Sequence, residues 1–374
     1  MARLDQICKL NMGQSPDSSS YNENKIGMPF FQGNADFGTL HPTVRIWCSA
    51  PTKVANSGDI LISVRAPIGA LNIANVECCI GRGLAALTVD ERKCKKEYLW
   101  HAISSKVDEL NSKGTGSTFK AISKNILAET EIPLPNLDMQ THIAAVLDKI
   151  DNLISFRKQQ LARLDELVKA RFVELFGDPV ANPHGFDKVA LSELADIKIG
   201  PFGSLLHKED YIEGGHALLN PSHIIDGKVA PDDKLTVSAQ KYEELSAYHL
   251  KTGDVVMGRR GEMGRCAVVP CDGYLCGTGS LMIRTKGEVT ADYIQKIISF
   301  PSFKKTIEDM SVGQTMPNLN VPIVSNFQII KPPIEVQKSY YAFVEQVDKS
   351  KLAVQQSLVK LELLKKALMQ KYFG

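Results

Sequence analysis

Residues 140–177 (QTHIAAVLDKIDNLISFRKQQLARLDELVKARFVELFG) return at the end of the chain as residues 337–374. A shift of 197 superimposes the two without a gap, placing Gln140 on Gln337, Asp151 on Asp348, Leu161 on Leu358, Leu164 on Leu361, Ala170 on Ala367 and Phe176-Gly177 on Phe373-Gly374. The chain is therefore a tandem repeat in which each copy closes with the same segment. Whatever it folds into must bury two copies of one surface.

Neither segment contains a proline or an internal glycine, and both carry apolar residues at alternating steps of four and three, the spacing of a coiled-coil seam. In the first copy the seam reads Ile143, Leu147, Ile150, Ile154, Arg157, Leu161, Leu164, Val168, Arg171, Leu175. In the second it reads Tyr340, Val344, Val347, Lys351, Val354, Leu358, Leu361, Lys365, Leu368, Tyr372. Each segment is expected to form one helix of roughly 55 Å. So narrow a seam on so long a helix needs a partner helix of matching length, and the other copy is the nearest candidate. Arg157, Arg171, Lys351 and Lys365 interrupt the seam; such residues fix register and orientation. The alternative is two amphipathic helices, each packed on its own domain.

The expected organisation is a first globular unit over residues 1–138, a long helix over 139–177, a linker over 178–187 (DPVANPHGFD), a second unit over 188–334 and a second long helix over 335–374. The repeat extends into the units. Leu4-Asp5-Gln6-Ile7 with Gly13 answers Leu191-Ser192-Glu193-Leu194 with Gly200, and Gly58-Asp59-Ile60-Leu61 answers Gly253-Asp254-Val255-Val256. The latter two read as a turn, a short buried strand and a loop that presents arginine. Gly81-Arg82-Gly83 leads into a strand at 84–89 as Gly277-Thr278-Gly279 does at 280–284. Helices are expected over 96–111 and 291–309, each followed by a polar glycine loop. Proline-bearing turns at Pro133 and Pro135, and at Pro332 and Pro333, precede the long helices. The fold class is α+β, two repeated units of short strands and few helices separated by the two long helices.

Composition closes off several function classes. A formal charge of +2 means that any nucleic-acid surface must be concentrated on one face. No apolar run is long enough to span a membrane and MARLDQICKL lacks the apolar core of a signal peptide, so a cytoplasmic protein is expected. The eight cysteines include no Cys-x-x-Cys pair and no histidine at finger spacing, so they read as reduced thiols and no metal is expected.

No catalytic constellation emerges. Asn220-Pro221-Ser222-His223 approaches the Asn-Pro-Pro-aromatic signature of amino-methyltransferases, but its third and fourth residues differ and no glycine-rich strand-to-helix turn for an adenosyl cofactor precedes it. Gly81-x-Gly83-x-x-Ala86 fits a dinucleotide fingerprint in spacing, yet it opens a strand. Asp232-Asp233-Lys234 reads as a solvated charged turn.

What repeats is a binding constellation. Arg65 and Arg260 occupy equivalent loop positions, Arg259 adjoins the second and Arg82 sits in a glycine turn. Lys120, Gln314, Asn318 and Asn320 follow in the polar loops. Arginine pairs bidentately with guanine edges and with phosphate, while asparagine and glutamine suit adenine. These eight are the candidate DNA-binding residues.

Over essentially its whole length the chain resembles the specificity subunit of Type I restriction-modification enzymes. The resemblance rests on the duplicated order of unit then helix, the Gly-Asp-Ile-Leu and Gly-Asp-Val-Val strands with their following Ile68-Gly69 and Met263-Gly264, and the loop Gly313-Gln314-Thr315-Met316-Pro317-Asn318-Leu319-Asn320. It rests also on the approaches to the helices, Pro133-Leu134-Pro135-Asn136-Leu137-Asp138-Met139-Gln140 and Lys331-Pro332-Pro333-Ile334-Glu335-Val336-Gln337. The first copy departs from the usual loop, with residues 117–120 standing where 316–320 lie in the second. The resemblance implies two target-recognition domains, each reading half of a bipartite asymmetric site on double-stranded DNA, held apart by an antiparallel coiled coil of the two helices. It implies a non-catalytic chain without cofactors of its own, onto which two modification (methyltransferase) subunits and restriction subunits dock, with S-adenosylmethionine, magnesium and ATP on those partners. Two readers on a stiff spacer suit half-sites about one helical turn, roughly 34 Å, apart. A self-sufficient methyltransferase or nuclease, and a coiled-coil scaffold that binds protein only, are the alternatives.

Overall fold

The computed structural model describes residues 1–116, 120–202, 205–311 and 318–374. The chain divides into two compact units, residues 1–160 with 354–374, and residues 161–353. Each long helix is therefore shared between them. The helices run Leu137–Phe176 and Ile334–Phe373, forty residues each and so about 60 Å. They begin one or two residues earlier than the sequence reading placed them.

The first unit is built on a four-stranded antiparallel sheet in the order Cys8–Met12, Leu84–Val89, Ile60–Ser63, Leu71–Ile73. The second unit repeats it with Ala195–Ile199, Ser280–Thr285, Val255–Gly258, Cys266–Val268. The turns that feed the third strand of each sheet share one device. Gly58 and Gly253 lie at φ 91° and 85°, where an L side chain is strained. The buried carboxylates of Asp59 and Asp254 then accept the amides of Asn56 and Lys251, both at 2.8 Å. That is why Gly-Asp opens the strand in both copies.

A second, five-stranded sheet in each unit has no counterpart in the sequence reading. It runs Tyr21–Asn22, Ile46–Cys48, Met28–Phe31, Cys78–Ile80, Val54–Ala55 in the first unit, and Tyr211–Ile212, Thr236–Val237, His216–Leu219, Tyr274–Cys276, His249–Leu250 in the second. In both, the third and fourth strands are parallel. The expected helices at 96–111 and 291–309 are each broken in two, as Lys96–Ser104 with Val107–Lys113 and Ala291–Ile298 with Pro301–Ser311. Serine hydroxyls at the breaks bond back to carbonyls of the preceding turn, Ser104 to Trp100 at 2.8 Å and Ser299 to Gln295 at 2.7 Å, which competes with helix continuation. Pro301 then suits the start of a new helix. The segment 178–187 is a packed loop rather than an open linker. Asp178 accepts the amides of Val180 and Ala181, and Asn182 exchanges hydrogen bonds with the Phe186 backbone.

The seam is visible in exposure. Between residues 150 and 171 every residue of the first long helix is exposed except Ile150, Asp151, Ile154, Arg157, Leu161, Leu164, Val168 and Arg171. Within each unit the two helices run antiparallel. In the first, Lys365 bonds Asp151 at 2.5 Å and Lys158 lies 3.6 Å from Glu362, while in the second Lys351 bonds Asp165 at 2.6 Å and the Tyr340 hydroxyl donates to the Val168 carbonyl at 3.3 Å. The seam lysines thus lay their stems along the interface and send their charge to a facing carboxylate; the Asp165 contact holds the Lys351 ammonium above its ordinary pKa.

Each globular sheet region is also closed by the far end of the other copy's helix. The Phe373 ring packs 5.3 Å from Tyr98 in the first unit, and Phe176 packs 5.2 Å from Tyr293 in the second. The two tyrosines are themselves counterparts, donating to the carbonyls of Pro133 and Ile330 at 2.8 and 3.0 Å.

Gln140 and Gln337, the first residues of the repeated segment, are both fully buried. Their side chains accept the amides of Lys95 at 2.8 Å and Thr290 at 3.0 Å, the N-cap residues of the domain helices, and donate to the carbonyls of Pro135 and Pro332. They fasten each long helix to its own sheet domain. Gln337→Ala is expected to leave a buried N–H and C=O unpaired and to cost about 1 to 3 kcal/mol. Urea unfolding should show the midpoint falling, while the exposed Gln355→Ala stays at the wild-type value.

Candidate nucleic-acid interface

In the first unit three backbone hydrogen bonds set the position of Arg65. Where the strand Ile60–Ser63 ends, the Val64 amide donates to the Gly83 carbonyl and the Val64 carbonyl accepts from Ile122, each at 2.9 Å, and Ala66 donates to Lys120 at 3.0 Å. Arg65 is thereby fixed between the glycine turn and the polar loop, with its side chain exposed. The glycine turn is tied in the same way to the second sheet, Gly81 donating to Phe31 at 2.8 Å and Gly83 to Gln32 at 3.2 Å. A Cβ on Gly83 would stand 2.5 Å from the Gln32 carbonyl oxygen, so only glycine permits this approach.

The result is a cleft of about 320 Å³ lined by Phe30, Gln32, Asn34, Arg45, Arg65 and Arg82. Arg65 and Arg82 are exposed and, among the described residues, unpaired. Arg45 differs. Its Nε and Nη2 both bond Oδ1 of Asp36, and Nη2 also donates to the Ala35 carbonyl at 3.2 Å. Oδ2 of the same buried carboxylate accepts the amides of Gln32 at 2.7 Å and Gly33 at 3.3 Å.

The second unit has the same frame. Arg259 donates to the Gly279 carbonyl at 2.9 Å and accepts from Leu319 at 3.0 Å, and Gly277 donates to Leu219 at 3.1 Å. Arg259 therefore matches Val64, and Arg260 matches Arg65 and is likewise exposed. The Arg259 side chain turns inward, its Nε donating to the Leu319 carbonyl at 2.7 Å, and burial, then the neighbouring Arg260, pulls its pKa below the usual arginine value. It supports the loop more than it faces solvent. Thr278 occupies the position in the repeat that Arg82 holds in the first copy and donates to the Pro201 carbonyl, so this turn carries no cation.

The polar loops align by the 197 shift, with Ile122 on Leu319 and Ser123 on Asn320. Ser123 and Asn320 play one role, accepting the amides of Ile126 and Ile323 as N-caps of the helices Lys124–Ala128 and Val321–Ser325. The sequence reading had set 117–120 against 316–320. The caps correct that register, and Lys120 corresponds to position 317, Asn318 to Ala121. With one lone pair of Oδ1 engaged in the cap, the exposed Asn320 keeps its amide NH2 and the second lone pair for a ligand. Asn318 is half-buried, its Oδ1 without a partner among the described residues, and Lys120 is exposed. Gln314 lies outside the described residues.

The sites that mimic enzyme motifs are structural. His223 is buried, its Nδ1 2.6 Å from the Leu218 carbonyl, so its ring is not a platform for a base. Gly81 and Gly83 open the strand Leu84–Val89. Among the described residues no group of three His, Cys, Asp or Glu is placed to hold a metal. Burial pushes the Cys8, Cys78 and Cys94 thiols up to about 12, far from a nucleophile's range.

The family model for the Type I restriction modification DNA specificity domain matches residues 1–166 and 183–363, one match for each copy. The chain belongs to this family. Among the relatives of this Type I specificity family, the putative type I restriction enzyme MjaX specificity subunit of Methanocaldococcus jannaschii is 42% identical over 165 residues, 44% of this chain and 39% of that protein. The MjaVIII specificity subunit of the same organism is 24% identical over 277 residues, 67% of this chain and 63% of that protein. The matches thus span less than two thirds of either relative. The S subunit of a type I restriction-modification system from M. genitalium shares the fold, with a TM-score of 0.59 at 16% identity over 100% of this chain and 95% of that one. Of the residues that line the first unit's cleft in this specificity-family chain, the sequence alone did not single out Arg45, Asp36, Gln32 or Asn34. They lie around strands of two to four residues, where no periodicity can develop.

Proposed function

We propose that this chain is the DNA-reading subunit of a Type I restriction-modification complex and catalyses nothing itself. Each unit reads one half of a bipartite, asymmetric site on double-stranded DNA, and partner methyltransferase subunits, which carry S-adenosylmethionine, act on the sites it selects. Restriction subunits using magnesium and ATP complete the complex, in the cytoplasm. The observation that carries the reading is the repeated frame: two copies of one backbone hydrogen-bond pattern, each holding an exposed arginine, Arg65 or Arg260, beside a polar loop. Two such frames with different side chains around them suit two different half-sites. Large apolar side chains on the outward faces of the long helices, among them Phe156 and Leu363, each 63% exposed, support docking of protein partners there. Among the described residues no helix is long and apolar enough to cross a membrane.

Two measurements test this. Purified chain, incubated with labelled S-adenosylmethionine and DNA, should transfer no methyl group; transfer by this chain alone would overturn the assignment. In the reconstituted complex, Arg260→Ala should cost about 1 to 3 kcal/mol of binding and relax one position of one half-site. An unchanged motif with unchanged affinity would reduce Arg260 to a surface residue.

A further inference from the structure

We propose that Arg45 reads a guanine in the half-site engaged by the first unit, and that Asp36 is the positioning residue that aims it. The inference rests on the DNA-reading function above and assigns a specificity-determining residue within it.

Three features of the cleft lead there. First, the Arg45 guanidinium is pre-set on a loop before the strand Ile46–Cys48, because Nε and Nη2 are both held by one oxygen of Asp36. Asp36 is itself immobilised, only 8% exposed, with its other oxygen occupied by the Gln32 and Gly33 amides. A fixed guanidinium loses little side-chain entropy on binding. Second, what remains free is donors only, the two Nη1 hydrogens; the second Nη2 hydrogen is held by the Ala35 carbonyl at 3.2 Å, the longest of the three contacts and the one a base edge would have to replace. Guanine is the base that offers two adjacent acceptors, N7 and O6, on its major-groove edge, whereas adenine pairs an acceptor with a donor, cytosine presents a donor and thymine a single acceptor. Third, the charge argues against a phosphate. The Asp36 carboxylate neutralises Arg45 and would repel a phosphodiester, while a neutral base edge feels mainly the directional hydrogen bonds. Arg82, on the same cleft without such a partner, keeps its full charge and suits the backbone. Gln32 and Asn34, whose side chains make no hydrogen bond among the described residues, are placed to meet neighbouring base edges.

The test uses the full chain expressed with its methyltransferase partner in cells free of other adenine methylation, with methylated sites mapped for wild type, Arg45→Lys, Arg45→Ala and Asp36→Asn. In Arg45→Ala a single guanine of one half-site should become degenerate, its preference falling by about tenfold to a hundredfold, while the half-site altered by Arg260→Ala stays intact. Arg45→Lys should relax the same position, because an ammonium keeps the charge but not the planar fork. Asp36→Asn should relax it in part. Arg45→Lys also guards against misfolding, since it keeps a cation beside Asp36. An unchanged motif in Arg45→Lys overturns the proposal, and so does a uniform loss of methylation with the motif intact, which is the signature of a phosphate contact. A wild-type chain that directs no bipartite motif would overturn the function itself, an outcome separate from the other two.

Discussion

A fragment of residues 1–177, expressed with the methyltransferase partner, is expected to direct methylation to a palindrome built from one half-site. Removing the second copy takes away residues 354–374, which complete the first unit and bring Phe373 against Tyr98. It therefore uncovers Tyr98, Ile143 and Leu147, all buried in the intact chain. The fragment carries its own replacement, because the 197 shift puts Phe176 in the place of Phe373, Leu175 in that of Tyr372 and Phe172 in that of Met369. Phe176 already packs on Tyr293, the counterpart of Tyr98. Two fragments can thus exchange helix ends about a true two-fold axis, presenting identical reading units in inverted orientation. Two ion pairs are not restored, since Val168 replaces Lys365 opposite Asp151 and Ile154 replaces Lys351 opposite Asp165, but a partly exposed ion pair contributes only about 0 to 1 kcal/mol. Sedimentation should show a dimer and site mapping an inverted repeat. A monomer, or a motif that is not inverted, would sink the antiparallel account of the intact protein.

Leu358→Asp should destabilise the helix pair by several kcal/mol. Leu358 is 7% exposed in the middle of the seam, so the substitution removes a buried apolar side chain and desolvates a carboxylate. Loss of the leucine packing alone costs about 2 to 5 kcal/mol, enough to weaken the helix pair. The control lies five residues on. Leu363 is an exposed apolar residue of the same helix, and Leu363→Asp should leave the isolated chain's unfolding transition within about 0.5 kcal/mol of wild type. Thermal unfolding followed by circular dichroism distinguishes the two. A wild-type transition for Leu358→Asp would mean that the helices do not depend on each other.

How legible these features were depended on length. Ten seam positions at steps of three and four define a helical period along forty residues, so the long helices, their apolar stripe and the duplication could be read directly. Arg65 and Arg260 were legible because glycine-bounded strands flank them in both copies. The five-stranded sheets were not, since strands of two to four residues show no alternation and the copies diverge there. Arg45 was lost with them: nothing in the nine-residue separation of Asp36 and Arg45 marks them as partners. Asn320 has a second role that its neighbours signal. An asparagine just before Val321-Pro322 carries the sequence signature of a helix cap, a local structural role that competes with ligand binding. The break at Ser104 was hidden because the apolar pattern continues across it, whereas Pro301 marks the second break in the sequence itself.

The central claim, that each unit reads one half of a divided site, is tested most directly by mapping DNA methylation in cells that carry the intact chain and in otherwise identical cells that lack it, with Arg65→Ala and Arg260→Ala alongside. The account predicts a motif of two short specified segments separated by unspecified bases, present only with the chain, with the two substitutions relaxing opposite segments. A contiguous motif, or both substitutions acting on the same segment, would contradict it.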